Sequence, residues 1–195
     1  MSPKQTTTTE YPRLVVFSAP SGAGKTTLTR MLLKDFPTIQ LSVSATTRSR
    51  RPTEQEGIHY QFLTVPQFKQ AIAAGDFIEW AEVHGHLYGT LKSQVDRAIT
   101  AGKTLLFDID VQGAMNIRGL YPRRALLIFV LPPSMEELKK RLSDRKTESS
   151  ESLETRITGA YNELAWSEKF DYQVTNDDLT RAYTELKTIL SRECP

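Results

Sequence analysis

Ala19-Pro20-Ser21-Gly22-Ala23-Gly24-Lys25-Thr26 is the segment whose residue types and spacing most directly imply chemistry. It matches G-x-x-x-x-G-K-[ST] everywhere except the first position, where Ala19 stands for glycine. Gly22 and Gly24 allow backbone N–H groups to close on phosphate oxygens, and a helix beginning near Lys25 adds the positive end of its dipole. Ser21, Ala23 and Thr27 complete the cradle. Lys25 is placed to reach the β- and γ-phosphates of a nucleoside triphosphate, and the Thr26 hydroxyl to ligate Mg²⁺. If the first position needs a positive φ, alanine there costs about 1 kcal/mol.

Asp108 and Asp110 supply the next constraint. Both follow the apolar run Thr104 to Phe107, so one carboxylate can sit at a strand's C-terminal end beside the metal, as an acidic Walker-B-type residue does. Asp108 is the candidate metal residue. The alternative is that such aspartates cap the next loop. A second cluster, Ser44-Ala45-Thr46-Thr47-Arg48-Ser49-Arg50-Arg51, is followed by Glu54, Gly57 and Tyr60. Arginines at this spacing near a tyrosine hydroxyl can fork onto a phosphate dianion; considered alone they also fit a solvated basic loop.

These groups need elements to hold them. Leu14 to Phe17 is a short apolar run, then comes the glycine turn, then a helical segment from Lys25 to about Lys34 that Pro37 stops. Strand, glycine turn and helix open a parallel α/β unit. Thr104 to Ile109, Ala125 to Leu131, Tyr172 to Thr175 and Gln40 to Ser44 read as further strands. Ser134 to Glu137 has capping-box spacing before Leu138 and Leu142. Leu153, Ile157, Ala160, Tyr161 and Leu164 form one helical stripe. Leu179, Ala182, Tyr183, Leu186, Ile189 and Leu190 form another after the cap Asp177-Asp178, and both read as core packing. Between about Ser42 and Lys92, mixed aromatic, β-branched and polar stretches point to a partly antiparallel inserted lobe. A more polar insert lies near Arg141 to Ser152.

Bulk properties narrow the class. With 195 residues, 39% hydrophobic and 25% charged, the chain suits one α/β core with small appended lobes. A net charge of +2, with both signs interleaved, argues against nucleic acid as a partner. The longest apolar run is too short to span a bilayer, so no membrane is implied. Cys194, the single cysteine, can form no internal bridge, and the polar Met1 to Glu10 stretch lacks the apolar segment of a secretory signal. The expected location is the cytoplasm, with residues 1–10 a disordered tail.

Six blocks in order are similar to the guanylate kinase family. They are the phosphate loop, Thr46-Thr47-Arg48-Ser49-Arg50-Arg51 with Gly57-Ile58-His59-Tyr60, Phe77-Ile78-Glu79-Trp80, Tyr88-Gly89-Thr90, Asp108-Ile109-Asp110-Val111-Gln112-Gly113, and Asn176-Asp177-Asp178. The departures are Ala19 and Thr53, which stands where the family usually has glycine. The resemblance implies a phosphate-loop, three-layer α/β fold with a parallel five-stranded core sheet, divided into a core (11–41, 93–131 and 157–195), a GMP-binding lobe (42–92) and a helical lid (132–156). It implies transfer of a phosphoryl group from MgATP to GMP, and to dGMP, by in-line displacement. Arg48, Arg51, Tyr60, Tyr88 and Gly89 would hold the GMP phosphate end, and Ser44, Glu79, Thr90 and Asp110 the guanine end. Lys25, Arg145 and Arg156 would stabilise the transferring charge, with Arg141 and Asn176 on the ATP side. Asn176 corresponds to an adenine contact, although an asparagine before a helix is also a normal cap. Guanine presents N1–H and a 2-amino group side by side, a donor pair suited to one carboxylate such as Glu79, whereas adenine has an acceptor at N1. Two alternatives are a guanylate-kinase-like protein-binding module without catalysis and a kinase for another nucleoside monophosphate. A monomer and a homodimer fit the sequence equally.

Overall fold

The structure, a computed structural model, describes residues 14–83, 85–143 and 150–194; the expected tail, 1–10, lies outside them. The core begins with β1 (Leu14–Ser18), all five residues of which are buried. An uninterrupted apolar strand is what a parallel sheet covered on both faces requires. β1 pairs in parallel with β7 and β8 and is the centre of a five-stranded, all-parallel sheet of order β2-β7-β1-β8-β9. The other strands are β2 (Ile39–Leu41), β7 (Thr104–Asp108), β8 (Ala125–Leu131) and β9 (Tyr172–Thr175). The expected strand at Gln40 to Ser44 is shorter and starts one residue earlier. The chain leaves the sheet at Ser42, whose N–H still donates to Leu106 C=O at 2.8 Å.

Alternation along β1 divides the core. Val15 and Phe17 face a cluster with Leu28 and Leu32 of α1 (Lys25–Asp35) and Ala182, Leu186, Ile189 and Leu190 of α7 (Leu179–Glu193). Leu14 and Val16 face the opposite cluster, with Val95 and Ala98 of α3 (Lys92–Thr100) and Ala114 and Ile117 of α4 (Val111–Leu120). Two residues of the expected stripes are not core. Leu179 is 40% exposed at the first position of α7, and Tyr161 is 49% exposed.

The segment between β2 and α3 forms a second sheet of order β4-β3-β6-β5. Here β3 (Ala45–Thr46) runs parallel to β4 (Gln61–Phe62) and antiparallel to β6 (His86–Leu91), which pairs with β5 (Phe77–Val83). Its small core holds Ala45, Phe68 and Phe77, the two rings stacked at 4.3 Å. Phe68 comes from α2 (Val65–Ala73), started by a capping box between Thr64 and Gln67. This sheet joins the core through Ser42–Ser44 and the β6–α3 junction. Gln94 of α3 clasps the first connection: its Oε1 accepts the Ser42 hydroxyl at 2.8 Å and the Val43 N–H at 3.2 Å.

After β8, α5 (Met135–Ser143) and α6 (Ser150–Leu164) pack through Leu138, Leu142 and Ala160. Glu137 N–H donates to Ser134 Oγ at 3.1 Å, the side-chain cap expected at that spacing.

Gly89 has no room for a side chain. A Cβ there would lie 2.7 Å from the Glu79 carbonyl oxygen, 2.8 Å from the Phe77 ring and 2.9 Å from Trp80 Cβ. Backbone cannot yield cheaply, so Gly89→Ala is expected to destabilise the fold by about 1–3 kcal/mol. The measurement is the shift of the urea midpoint; an unchanged midpoint contradicts the close approach.

Candidate active site

β1 delivers the chain to the C-terminal edge of the sheet, where α/β sheets hold their ligands. Ala23 N–H donates to Pro20 C=O at 3.1 Å, closing the turn, and Gly22 and Gly24 take φ of 90° and 93°. Gly24 is the N-cap of α1 and offers no side-chain cap, and no acidic residue lies in the helix's first turn. The helix end is therefore left to an external anion. The loop borders a cleft of about 310 Å³ lined by Ser21, Gly22, Gly24, Lys25, Thr26, Thr27 and Asp110, among others. It also has two supports from distant parts of the chain. Gly22 lies against α5, where a Cβ would meet Leu138 at 3.1 Å and Leu142 at 3.3 Å. Asn176, 6% exposed, donates from Nδ2 to the Ala23 carbonyl at 2.7 Å. Glu163, on α6, lines the same cleft.

Asn176 is thus a strut of the loop, and its own N–H donates to Leu131 C=O at 2.8 Å. It does not cap α7; Asp178 does, accepting from Arg181 N–H at 2.9 Å. One N–H of its side-chain amide is thereby committed to the loop.

The two strand-end aspartates separate cleanly. Asp108 forms an ion pair with Lys25, whose ammonium also donates to Ile109 C=O at 3.2 Å. Asp110 caps α4, accepting from Gly113 N–H at 2.8 Å, and also lines the cleft. Among the described residues no cluster of three His, Cys, Asp or Glu could hold a metal by itself. That suits Mg²⁺ carried mainly by phosphate oxygens and water, with Thr26 and Asp108 as the available protein groups.

On the second sheet, Arg48 and Glu54 form a two-pronged pair, Nη2 to Oε1 at 2.6 Å and Nη1 to Oε2 at 3.1 Å, with side chains 15% and 12% exposed. Nη1 also donates to Ser49 C=O at 2.8 Å, and Glu54 accepts Arg51 N–H at 2.8 Å. The guanidinium sits 5.4 Å from the Tyr60 ring, and Tyr60 meets Tyr88 edge-on at 5.9 Å. Arg48, Arg51, Tyr60 and Tyr88 are therefore gathered at one place. The turn at Thr53 closes through Glu54 N–H on Arg51 C=O at 3.0 Å. The Arg48 guanidinium, then the Arg51 N–H, hold the Glu54 carboxyl down to about 2.

Glu79 and Thr90 are cross-strand partners, and Thr90 Oγ1, fully buried, donates to Glu79 Oε1 at 2.6 Å. Burial pushes the Glu79 carboxyl upward, with Asp110 adding to the effect and Thr90 opposing it. A Cβ on Gly113 would lie 3.3 Å from Asp110 Oδ1 and 3.4 Å from Glu79 Cγ, so the first turn of α4 seats both carboxylates. Ser44 lies at the base of this sheet, its C=O accepting Gln61 N–H at 2.9 Å.

Arg156 is on α6, whereas Arg141 pairs along α5 with Glu137 at 3.1 Å. Arg145 lies outside the described residues. The group that sequence reasoning missed is Glu163, half-buried and lining the cleft. Burial raises its carboxyl; Lys25 and the Ser21 N–H oppose this, and Asp110 adds to it. No motif marks Glu163. The only signal is its position seven residues after Arg156 on one helical face.

Because the folded Glu54 sits below its ordinary value of 4.5, its contribution is complete above that value and lost as pH falls toward about 2. Glu54→Gln lacks that contribution at every pH. The gap in melting temperature between wild type and Glu54→Gln is therefore expected to narrow from pH 6 to pH 2.5. A gap that stays constant or widens contradicts the pairing.

The guanylate kinase family model matches residues 11–193. A guanylate kinase of Myxococcus xanthus (strain DK1622) is 48% identical over 181 residues, covering 92% of this chain and 86% of the relative. One from Chelativorans sp. (strain BNC1) is 47% identical over 180 residues, covering 92% and 83%. The crystal structure of guanylate kinase from Anaplasma phagocytophilum superposes with a TM-score of 0.73 at 30% identity, covering 95% of this chain and 88% of that one. With the phosphate loop, the arginine–tyrosine cluster and the half-buried Glu79 bonded to Thr90 arranged as described, these likenesses show that the chain belongs to the guanylate kinase family.

Proposed function

We propose that this chain transfers the γ-phosphoryl group of MgATP to GMP, and to dGMP, giving ADP and GDP. The observation that carries the reading is the shared position of Asp110. It lines the phosphate-loop cleft and sits with the half-buried Glu79 over Gly113 in the first turn of α4, so the donor cleft and the base-reading pair adjoin. The Glu79 carboxylate, steadied by Thr90, takes the guanine N1–H and 2-amino donors, and Ser44 and Asp110 complete the guanine end. Arg48, Arg51, Tyr60 and Tyr88 take the GMP phosphate. Gly89 acts by allowing the strand approach that sets Thr90 beside Glu79.

Ser21 to Thr27 cradle the triphosphate. Lys25 exchanges its contact with Asp108 for the β- and γ-phosphate oxygens, and Asp108 with Thr26 is left facing the metal. Bound Mg²⁺ supplies charge neutralisation on the donor phosphates. The GMP phosphate is already an anion near neutral pH, so attack on the γ-phosphorus needs no general base. Positioning and neutralisation by Lys25, Arg145 and Arg156 provide the catalysis, with Arg141 and Asn176 on the ATP side. The protein is placed in the cytoplasm, consistent with the absence, among the described residues, of any helix long and apolar enough to cross a membrane.

Coupled assay of ADP release with GMP, AMP, CMP and UMP in parallel tests the reaction. Turnover with GMP alone is expected; turnover with another monophosphate overturns the base assignment, and none with any overturns catalysis. Lys25→Ala is expected to lower kcat at least about 100-fold, since it removes a charge acting on the transferring group. Glu79→Gln is expected to raise the KM for GMP and shrink a preference over AMP that such a site can carry to roughly 10⁴. Glu79 protonates above the ordinary glutamate range, so KM for GMP should climb in wild type as pH falls toward that range and stay flat in Glu79→Gln.

A further inference from the structure

Where the chain passes from one sheet to the other, a backbone donor is left without a strand partner. Ser42 N–H still bonds the core sheet, on Leu106 C=O at 2.8 Å, and Ser44 C=O already bonds the second sheet, from Gln61 N–H at 2.9 Å. Val43 lies between them and belongs to neither sheet, so its half-buried N–H needs another acceptor. The side-chain oxygen of Gln94, 51 positions later, accepts it at 3.2 Å and takes the Ser42 hydroxyl as well, at 2.8 Å. A backbone N–H only donates, so the oxygen of the Gln94 amide is the atom that faces it. Gln94 stands in the first turn of α3, a helix fixed to the core through Val95 and Ala98. β6 runs directly into that helix, and Lys92, its first residue, holds the turn before β5: its N–H donates to Asp76 C=O at 2.8 Å and its Nζ to Gly75 C=O at 2.6 Å. Both connections between lobe and core therefore meet at one helical turn. β3 follows the first connection and pairs with β6, Ala45 opposite Gly89 and Thr46 opposite Tyr88. One step further in that register Ser44 lies opposite Thr90, which is itself opposite Glu79.

We propose that Gln94 is a positioning residue for the guanine end of the acceptor site: its side-chain oxygen ties Ser42 and Val43 to α3, fixes the start of β3 on the core, and so holds Ser44 in line with Thr90 and Glu79. The role requires a hydrogen-bond acceptor of this length; it requires neither a charge nor a contact with substrate. The effect on GMP rests on the reading above of Ser44, Thr90 and Glu79 as the guanine end; the clasp itself does not.

Two measurements on the full chain separate these. Gln94→Met keeps the length of the side chain without its acceptor, Gln94→Glu keeps an acceptor oxygen, and all three residues are comparable helix formers. The first measurement is amide hydrogen exchange at Val43 in nucleotide-free protein, followed by NMR. Gln94→Met is expected to speed it about 3- to 10-fold, the range that one lost hydrogen bond spans, with Gln94→Glu within about 2-fold of wild type. Equal exchange in all three overturns the clasp whatever the protein catalyses. The second is the ADP-release assay. Gln94→Met is expected to raise KM for GMP about 5- to 10-fold while kcat and KM for MgATP stay within about 2-fold, the pattern of lost ground-state binding at one substrate. A merely weakened fold lowers the active fraction, and so kcat, without moving KM. Gln94→Glu should restore KM for GMP to within about 2-fold of wild type, since its oxygen still accepts both donors. An unchanged KM for GMP, a rise shared equally by MgATP, or a Gln94→Glu as impaired as Gln94→Met overturns the positioning role. A wild type that does not use GMP overturns the guanine-end reading and the effect on GMP with it, while the exchange result still decides the clasp.

Discussion

Everything in the donor half depends on one constraint: the N–H groups between Ser21 and Thr26 must point into a common space. A free peptide does not hold that shape, because it needs left-handed backbone at Gly22 and Gly24. Here the conformation is imposed from two directions. Asn176 holds the Ala23 carbonyl, and α5 supports Gly22 from beneath. Gly24 answers two demands at once, its φ of 93° and the Asn176 amide nitrogen, 2.2 Å from where a Cβ would stand. Loop and strut therefore define each other: the amide occupies the space that glycine leaves.

The second organising fact is electrostatic. A site for two polyanions gathers cations, and without ligands these cations need partners. The fold supplies temporary ones. Asp108 holds Lys25, and Glu54 holds Arg48 with a two-pronged contact, so each cation is already oriented. For Lys25 the partner is itself suited to face a metal, so an exchange of contacts on binding loses little. For Arg48, Glu54 also ties down the Arg51 backbone, which makes the pair part of the lobe's structure as well as of its site. Glu79 and Glu163 are instead half-buried, Glu79 against the neutral Thr90 hydroxyl, and both are shifted upward by the loss of water.

The two sheets meet through apolar as well as polar contacts. Ile78 of β5 is buried in the core cluster with Val95 and Ala114, the first turn of α4 seats Asp110 and Glu79 together, and Gln94 clasps the chain where it leaves the core. The lobe is thus seated on the core by α4 as well as by its two chain connections.

The sequence by itself determined the family of the site and the kind of sheet that carries it. Continuous apolar runs force a parallel sheet buried on both faces, and the glycine–lysine–threonine spacing has one economical physical use. Arg48 and Tyr60 were legible from their spacing as a phosphate-gripping pattern, and Glu79 and Thr90 through the resemblance of their blocks to the family's. Tertiary structure decided the rest. Asp108 and Asp110 are two residues apart and look alike, yet β7 ends at Asp108, which meets Lys25, while Asp110 lies beyond the strand and caps α4. Asn176 read as a cap or a base contact; the cap is Asp178, and only the fold shows that Asn176 holds the Ala23 carbonyl, 153 positions away. Tyr161 fits the helical stripe of α6 and is nevertheless exposed, since periodicity fixes a face without fixing how wide a neighbour covers it. Glu163 carried no motif, because its place at the phosphate-loop cleft is set by the packing of α6 on α5. Such packing joins segments far apart in the chain, so only the fold can say which side chains line one cleft.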